Sequence, residues 1–217
     1  MKSLKDKLHK DLYNKISKDF SKLRPAQIKA IDAGLLDRKN LLIVTPTASG
    51  KTLIAEIAML ESIYNNIGKA IYIVPLKALA SEKYHEFKEK YKDVRVALSI
   101  GDTDSSDKYL ERYDIIITVS EKLDSLIRHK APWLRHVSTI IIDEIHLMND
   151  PSRGPTLEVV ITILKQILKK AQFIALSATI GNPEELAEWL DANLVLDDWR
   201  PIELHKGIYL NGEVEFY

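Results

Sequence analysis

The chain has 217 residues, 46% of them apolar and 29% charged, and its 31 Lys and Arg balance 31 Asp and Glu. Those proportions suit one sizeable α/β domain with at most a short appendage, and they argue against a disordered chain or a simple basic coat for nucleic acid. The lack of any cysteine excludes disulfides, thiol catalysis and cysteine-held zinc or iron–sulfur clusters, and the six histidines show no metal-ligand spacing. No apolar run approaches the ~20 residues of a membrane span, and the first seven residues, Met1 to Lys7, lack a signal-peptide core. A cytoplasmic protein with no membrane partner is expected.

Charge is uneven at the start. Residues 1–29 carry nine Lys and Arg against three Asp, which reads as a solvated helix face, with a phosphate contact as the competing reading. Two helices are expected there, at Leu4–Phe20 and Pro25–Leu36, the second opened by its proline. Five short, β-branched apolar runs follow, Leu41–Val44, Ala70–Val74, Ile115–Ile117, Ile140–Ile142 and Phe173–Leu176, with a weaker one at Val94–Leu98. Continuous rather than alternating runs of this length predict strands buried on both faces. Helix-period stretches separate them: Lys77–Tyr91 puts Ala80, Tyr84, Phe87 and Tyr91 on one face. Asn182–Leu190 reads as a further helix, and Ile202–Tyr217 as extended chain with a turn at Asn211-Gly212. The prediction is an α/β domain with a mostly parallel sheet sandwiched by helices.

Nearly every predicted strand runs directly into polar residues: Thr45-Pro46-Thr47, Pro75-Leu76-Lys77, Thr118-Val119-Ser120, Asp143-Glu144 and Ser177-Ala178-Thr179. Ligands of an open parallel sheet bind beyond the carboxyl ends of its strands, so one edge gathers all five segments. Thr45-Pro46-Thr47-Ala48-Ser49-Gly50-Lys51-Thr52 has the Gly-Lys-Thr core of a phosphate loop, although Thr45 stands where the strict pattern has its first glycine. In that role Thr47, Ala48, Ser49 and Gly50 offer backbone N–H groups to phosphates, Lys51 reaches the β- and γ-phosphates of ATP, and the Thr52 hydroxyl holds Mg²⁺. Asp143 would hold the same Mg²⁺, while Glu144 orients and polarises the attacking water. Asp143, Glu144 and Lys51 are the candidate catalytic residues.

These residues resemble those of superfamily 2 helicases of the DExH type, over nearly the whole chain. The resemblance implies a RecA-like P-loop NTPase fold, with Gln27 reading adenine, Asp143-Glu144-Ile145-His146 as the second motif, and Ser177, Ala178, Thr179 and His146 coupling nucleotide state to nucleic acid. It further implies that the segments holding Pro75, Lys77, Gly101, Asp102, Thr118, Ser120 and Lys122 grip one strand's backbone without reading sequence. Gly101-Asp102-Thr103-Asp104-Ser105-Ser106-Asp107, Ser120 to Leu126, Arg153-Gly154-Pro155-Thr156-Leu157-Glu158 and Trp199-Arg200-Pro201 resemble the archaeal Hjm-type DNA-repair helicases in particular. Those are relatives of the superkiller-type RNA helicases and of the helicase part of DNA polymerase theta. That branch implies 3′ to 5′ movement on single-stranded DNA and forked substrates.

Three rivals remain. Another P-loop enzyme would need different signatures, such as the Asn-Lys-x-Asp of a GTPase or the Ser-Gly-Gly of a transporter ATPase, and both are absent. A non-catalytic nucleotide-binding module would have lost Lys51 or Glu144. An RNA helicase of the same branch shares the motifs and stays open. The expected organisation is an N-terminal helical extension at 1–22, a RecA-like domain at 23–200 and an extended tail at 201–217. The resemblance adds a second RecA-like domain that supplies arginines from a Gln-x-x-Gly-Arg-x-Gly-Arg segment. No such segment follows Thr179, so the 217 residues are expected to bind nucleotide but not to unwind DNA alone.

Overall fold

The structure is a computed structural model that describes residues 4–101, 106–202, 207–210 and 212–216. Seven strands, β1 (Leu41–Val44), β2 (Lys69–Val74), β3 (Val96–Ser99), β4 (Ile115–Val119), β5 (Val137–Ile142), β6 (Gln172–Ser177) and β7 (Asn193–Leu196), form one sheet in the order β3-β4-β2-β5-β6-β1-β7. Every pairing in it is parallel, with Val44 opposite both Ser177 and Leu196.

Successive strand residues point to opposite faces, and both faces are apolar. Leu41, Ile43, Tyr72, Val74, Ile115, Ile117, Ile141 and Ile174 meet α1 (Lys10–Asp19), α2 (Pro25–Asp32), α3 (Lys51–Tyr64) and α4 (Lys77–Lys90) in one buried layer. Leu42, Ile71, Ile73, Ile116, Ile140, Ile142 and Phe173 meet α5 (Ser120–Arg128), α6 (Gly154–Ile167) and α7 (Pro183–Leu190) in the other. Each fully buried aliphatic side chain contributes roughly 1.5–3 kcal/mol, which is why runs with no polar alternation become the central strands. Among the described residues no helix is long and apolar enough to cross a membrane.

Three elements differ from the sequence expectation. The first helix starts at Lys10 rather than Leu4. The backbone N–H of His9 donates to both carboxylate oxygens of Glu61 on α3, at 3.1 and 3.0 Å, which diverts the chain out of the helical path. Leu4, Leu8, Leu12 and Ile16, spaced four apart, are all buried nonetheless, although the backbone breaks along that row. The second helix ends at Asp32, where Gly34 at φ +99° closes it: Gly34 N–H donates to Ile31 O and Leu35 N–H to Ala30 O, both at 3.1 Å. β7 was not foreseen. It is a four-residue edge strand with only Val195 buried, too little apolar surface to announce itself. Of the expected extended tail, the described residues include an antiparallel ribbon of β8 (Gly207–Leu210) and β9 (Glu213–Phe216), with Gly212 at φ +90° between them, while 203–206, Asn211 and Tyr217 lie outside the described residues.

The start of α6 depends on a glycine for a steric reason. A Cβ on Gly154 would lie 2.0 Å from the carbonyl oxygen of Met148. Gly154→Ala is therefore expected to destabilise the fold by roughly 1–3 kcal/mol, read as a lowered melting temperature. An unchanged melting temperature would show that this turn yields at no cost.

Candidate active site

The phosphate loop joins β1 to α3 and takes its shape from two left-handed residues, Ala48 at φ +65° and Gly50 at φ +94°. Glycine suits position 50 because of that backbone conformation, and a Cβ there would also lie 2.5 Å from the Gln27 amide nitrogen and displace that side chain. Such turns point successive N–H groups into one concavity, at the N-terminus of α3. The missing first glycine has a structural counterpart. Thr45 is fully buried and its hydroxyl lies 2.6 Å from that of Ser49, closing the base of the loop, while its N–H donates to Ser177 O at 3.2 Å. The loop is thereby tied to the carboxyl end of β6.

Lys51 folds back over the loop, its ammonium donating to Thr45 O at 2.8 Å and Pro46 O at 3.4 Å. Burial pulls its pKa below the usual lysine value, and Glu144 and Asp143 push it back up. Lys51 follows β1 and the two carboxylates follow β5, with β6 between those strands, so all three groups lie at the carboxyl edge of the parallel sheet.

Asp143 directly follows β5 with both oxygens engaged: Oδ1 accepts the Glu144 N–H at 3.1 Å and Oδ2 accepts the Tyr72 hydroxyl at 2.8 Å. Burial raises its pKa, opposed by the Tyr72 hydrogen bond and by the ammonium groups of Lys83 and Lys51. Glu144 sits in the left-handed region at φ +53° and ends with Oε2 buried and without a hydrogen bond. His146 Nδ1 is 3.3 Å from that oxygen but not in hydrogen-bond geometry. The same nitrogen accepts the Ala178 N–H at 3.5 Å, a long bond in which it acts as a lone pair rather than a donor. His146 thus lies between Glu144 and the Ser177-Ala178-Thr179 segment and is hydrogen-bonded to the latter. Ser177 is fully buried with its hydroxyl unpartnered, whereas Thr179 is exposed.

Gln27, on α2, is buried against the loop rather than open to the surface. Its Oε1 accepts the Arg24 N–H at 2.9 Å and its Nε2 donates to Gly50 O at 3.1 Å. Arg24, which the sequence did not single out, donates to Ala48 O and stacks its guanidinium on Trp199, 5.4 Å from the ring centroid. Tyr72 was missed as well. Its signal was a lone hydroxyl within the aliphatic run Ala70-Ile71-Tyr72-Ile73-Val74.

The residues expected to face nucleic acid divide in two. Pro75 is half-buried, and Lys77 and Gly101 are exposed beside it along the carboxyl edge. Thr118, Ser120 and Lys122 are buried. Thr118 Oγ1 donates to Ser99 O at 2.7 Å, and the Lys122 ammonium pairs with Asp107 at 3.0 Å, a carboxylate that also accepts from the Ser99 hydroxyl at 3.3 Å. Thr118 and Lys122 thus tie β4 and α5 to Ser99 and Asp107, and Asp102 lies outside the described residues.

The site has recognisable relatives. The model of the DEAD/DEAH box helicase family matches residues 24–186. The chain is 57% identical over 211 residues to the ATP-dependent DNA helicase Hel308 of Methanocaldococcus jannaschii, covering 93% of this chain and 17% of that protein. It is 55% identical over 214 residues to the Hel308 of Methanococcus vannielii, covering 95% and 28% respectively. Among solved structures, the DUF1998 helicase MrfA bound to DNA superposes with a TM-score of 0.77 at 31% identity, over 88% of this chain and 30% of that one. MrfA bound to DNA and AMPPNP superposes with a TM-score of 0.76. The chain thus spans less than a third of the length of each of these relatives. With the family model matched across the phosphate loop, the Asp143–His146 turn and the sheet between them, the chain belongs to the DEAD/DEAH box helicases.

Proposed function

We propose that this chain is the ATP-binding motor domain of an ATP-dependent helicase that moves along single-stranded DNA. The observation that carries the reading is the convergence of Lys51, just after β1, and of Asp143 and Glu144, just after β5, on the carboxyl edge of one parallel sheet. The donor set fits a magnesium nucleotide. Asp143 and the Thr52 hydroxyl are hard oxygen ligands of the kind Mg²⁺ takes, and Lys51 with the loop N–H groups from Thr47 to Thr52 receives the phosphates. When bound, Mg²⁺ neutralises charge on the transferring phosphate. Lys51 orients the terminal phosphate, Glu144 Oε2 positions and polarises water, and Gln27 holds the loop backbone beside the base site. His146 would pass a shift at Glu144 to Ala178, and through Ser177 to Thr45.

Residues 23–200 would form the motor core, with 1–22 as a helical cap and 201–217 leading toward a second RecA-like domain. DNA rather than RNA is supported by the relatives' printed activity, and the 3′ to 5′ polarity and forked substrates by the DExH resemblance alone. Direct strand contacts fall to Pro75, Lys77, Gly101 and the neighbouring backbone, while Thr118, Ser120 and Lys122 hold that surface in place. Competition between matched single-stranded DNA and RNA for the chain in the presence of Mg·AMPPNP tests the substrate: preference for RNA would overturn the DNA reading. Binding should weaken with salt by about 0.7 log units per log unit of salt for each phosphate contact, and hardly respond to base order. A strong sequence preference, or affinity indifferent to salt, would contradict a backbone grip.

A further inference from the structure

The middle of β2 is aliphatic except at Tyr72, whose ring is fully buried and packs edge-on against Phe87 of α4, with centroids 5.4 Å apart and planes at 80°. Packing alone would be met by phenylalanine, because the ring lies in the apolar layer beneath α3 and α4. A buried hydroxyl costs free energy unless it is hydrogen-bonded, and this one donates to Asp143 Oδ2 at 2.8 Å. The other carboxylate oxygen accepts the Glu144 N–H at 3.1 Å, and the Asp143 N–H donates to Ile73 O at 2.9 Å, next to Tyr72 on the same strand. Two hydrogen bonds thus hold the carboxylate, one on each oxygen, and the one from β2 is that of Tyr72, while the Asp143 N–H bond ties its backbone to the same strand.

We propose that Tyr72 is a positioning residue for Asp143: its hydroxyl locks the carboxylate so that the remaining lone pairs face the phosphate loop, and thereby sets the affinity of the site for Mg·nucleotide. The inference rests on the assignment of Asp143 as the Mg²⁺-holding carboxylate. Partners that orient metal ligands from behind typically change metal affinity by 10–100-fold when lost. A single neutral donor with the Glu144 N–H still in place should fall at the lower end of that range, roughly tenfold.

The test is Tyr72→Phe in the 217-residue chain, with binding of a fluorescent ADP measured across a Mg²⁺ titration and again in EDTA, alongside the melting temperature. The expected result is a roughly tenfold higher Mg²⁺ concentration for half-maximal binding, with metal-free ADP affinity and melting temperature close to wild type. An unchanged Mg²⁺ midpoint in the variant, with wild type showing a clear one, would overturn the proposal and leave the nucleotide site standing. Equal loss with and without Mg²⁺ would overturn it too, by showing that the hydroxyl supports the fold rather than the carboxylate. Wild-type binding indifferent to Mg²⁺ would overturn both the role of Tyr72 and that of Asp143.

Discussion

Lys51→Ala is expected to lower affinity for Mg·ATP and Mg·ADP by about 10- to 100-fold, the size of losing charge-assisted hydrogen bonds to phosphate, while the circular dichroism spectrum stays unchanged. The two halves of that expectation have separate causes. Phosphates meet Lys51 at the mouth of a loop whose N–H groups are otherwise neutral, so its charge is hard to replace. The fold, by contrast, gains little from it. Burial lowers the pKa of Lys51, so the charged form is less favourable in the folded chain than in the unfolded one. At any pH below the folded-state pKa the ammonium therefore counts against stability, although its bonds to Thr45 O and Pro46 O return part of the cost. The alanine variant should melt at or slightly above the wild-type temperature. Isothermal titration with Mg·ADP and a melting curve check both halves, and a variant that binds as tightly as wild type would remove Lys51 from the site.

The central strands were legible because a strand buried on both faces must be apolar at every position, as Leu41–Val44 and Ile140–Ile142 are. The phosphate loop was legible because its job requires glycine and lysine at fixed places. What escaped has tertiary causes. The break before Lys10 depends on Glu61, whose approach to His9 no local pattern encodes. β7 is held by pairing to β1 with a single buried side chain. Thr118 and Lys122 sit in segments that reach the carboxyl edge, yet their side chains turn inward to Ser99 and Asp107, and strand-end position alone does not distinguish an exposed lysine from a buried one. Gln27 was singled out by its place before the Gly-Lys-Thr segment, but its use of both amide ends to clasp Arg24 and Gly50 is a property of the packed loop.

Glu144→Gln is expected to leave ATP binding nearly intact and to cut hydrolysis by a factor on the order of 10² or more, the usual loss for a positioned acid–base group. The backbone supports a specific task for this side chain. A non-glycine residue at φ +53° is strained, by roughly 1–3 kcal/mol, and strain of that kind persists only where the surroundings over-determine it. Here it accompanies a carboxylate whose Oε2 is buried and accepts no hydrogen bond, at the sheet edge that also carries Lys51. An acceptor held without a donor, beside a phosphate loop, suits a water molecule poised for attack. Glutamine keeps the shape and the contact with the loop but can neither carry the charge nor accept a proton. Its amide can also donate to His146 Nδ1, 3.3 Å from the present oxygen, which would hold the side chain away from the water position. Asp143→Asn differs in kind, because it weakens the metal site and should raise the Mg²⁺ requirement as well as slow turnover. The measurement is DNA-stimulated phosphate release, with ATP affinity determined in parallel, in a helicase that carries this chain at the full length of its relatives. Turnover near the wild-type rate in the Glu144→Gln protein would show that another group positions the water.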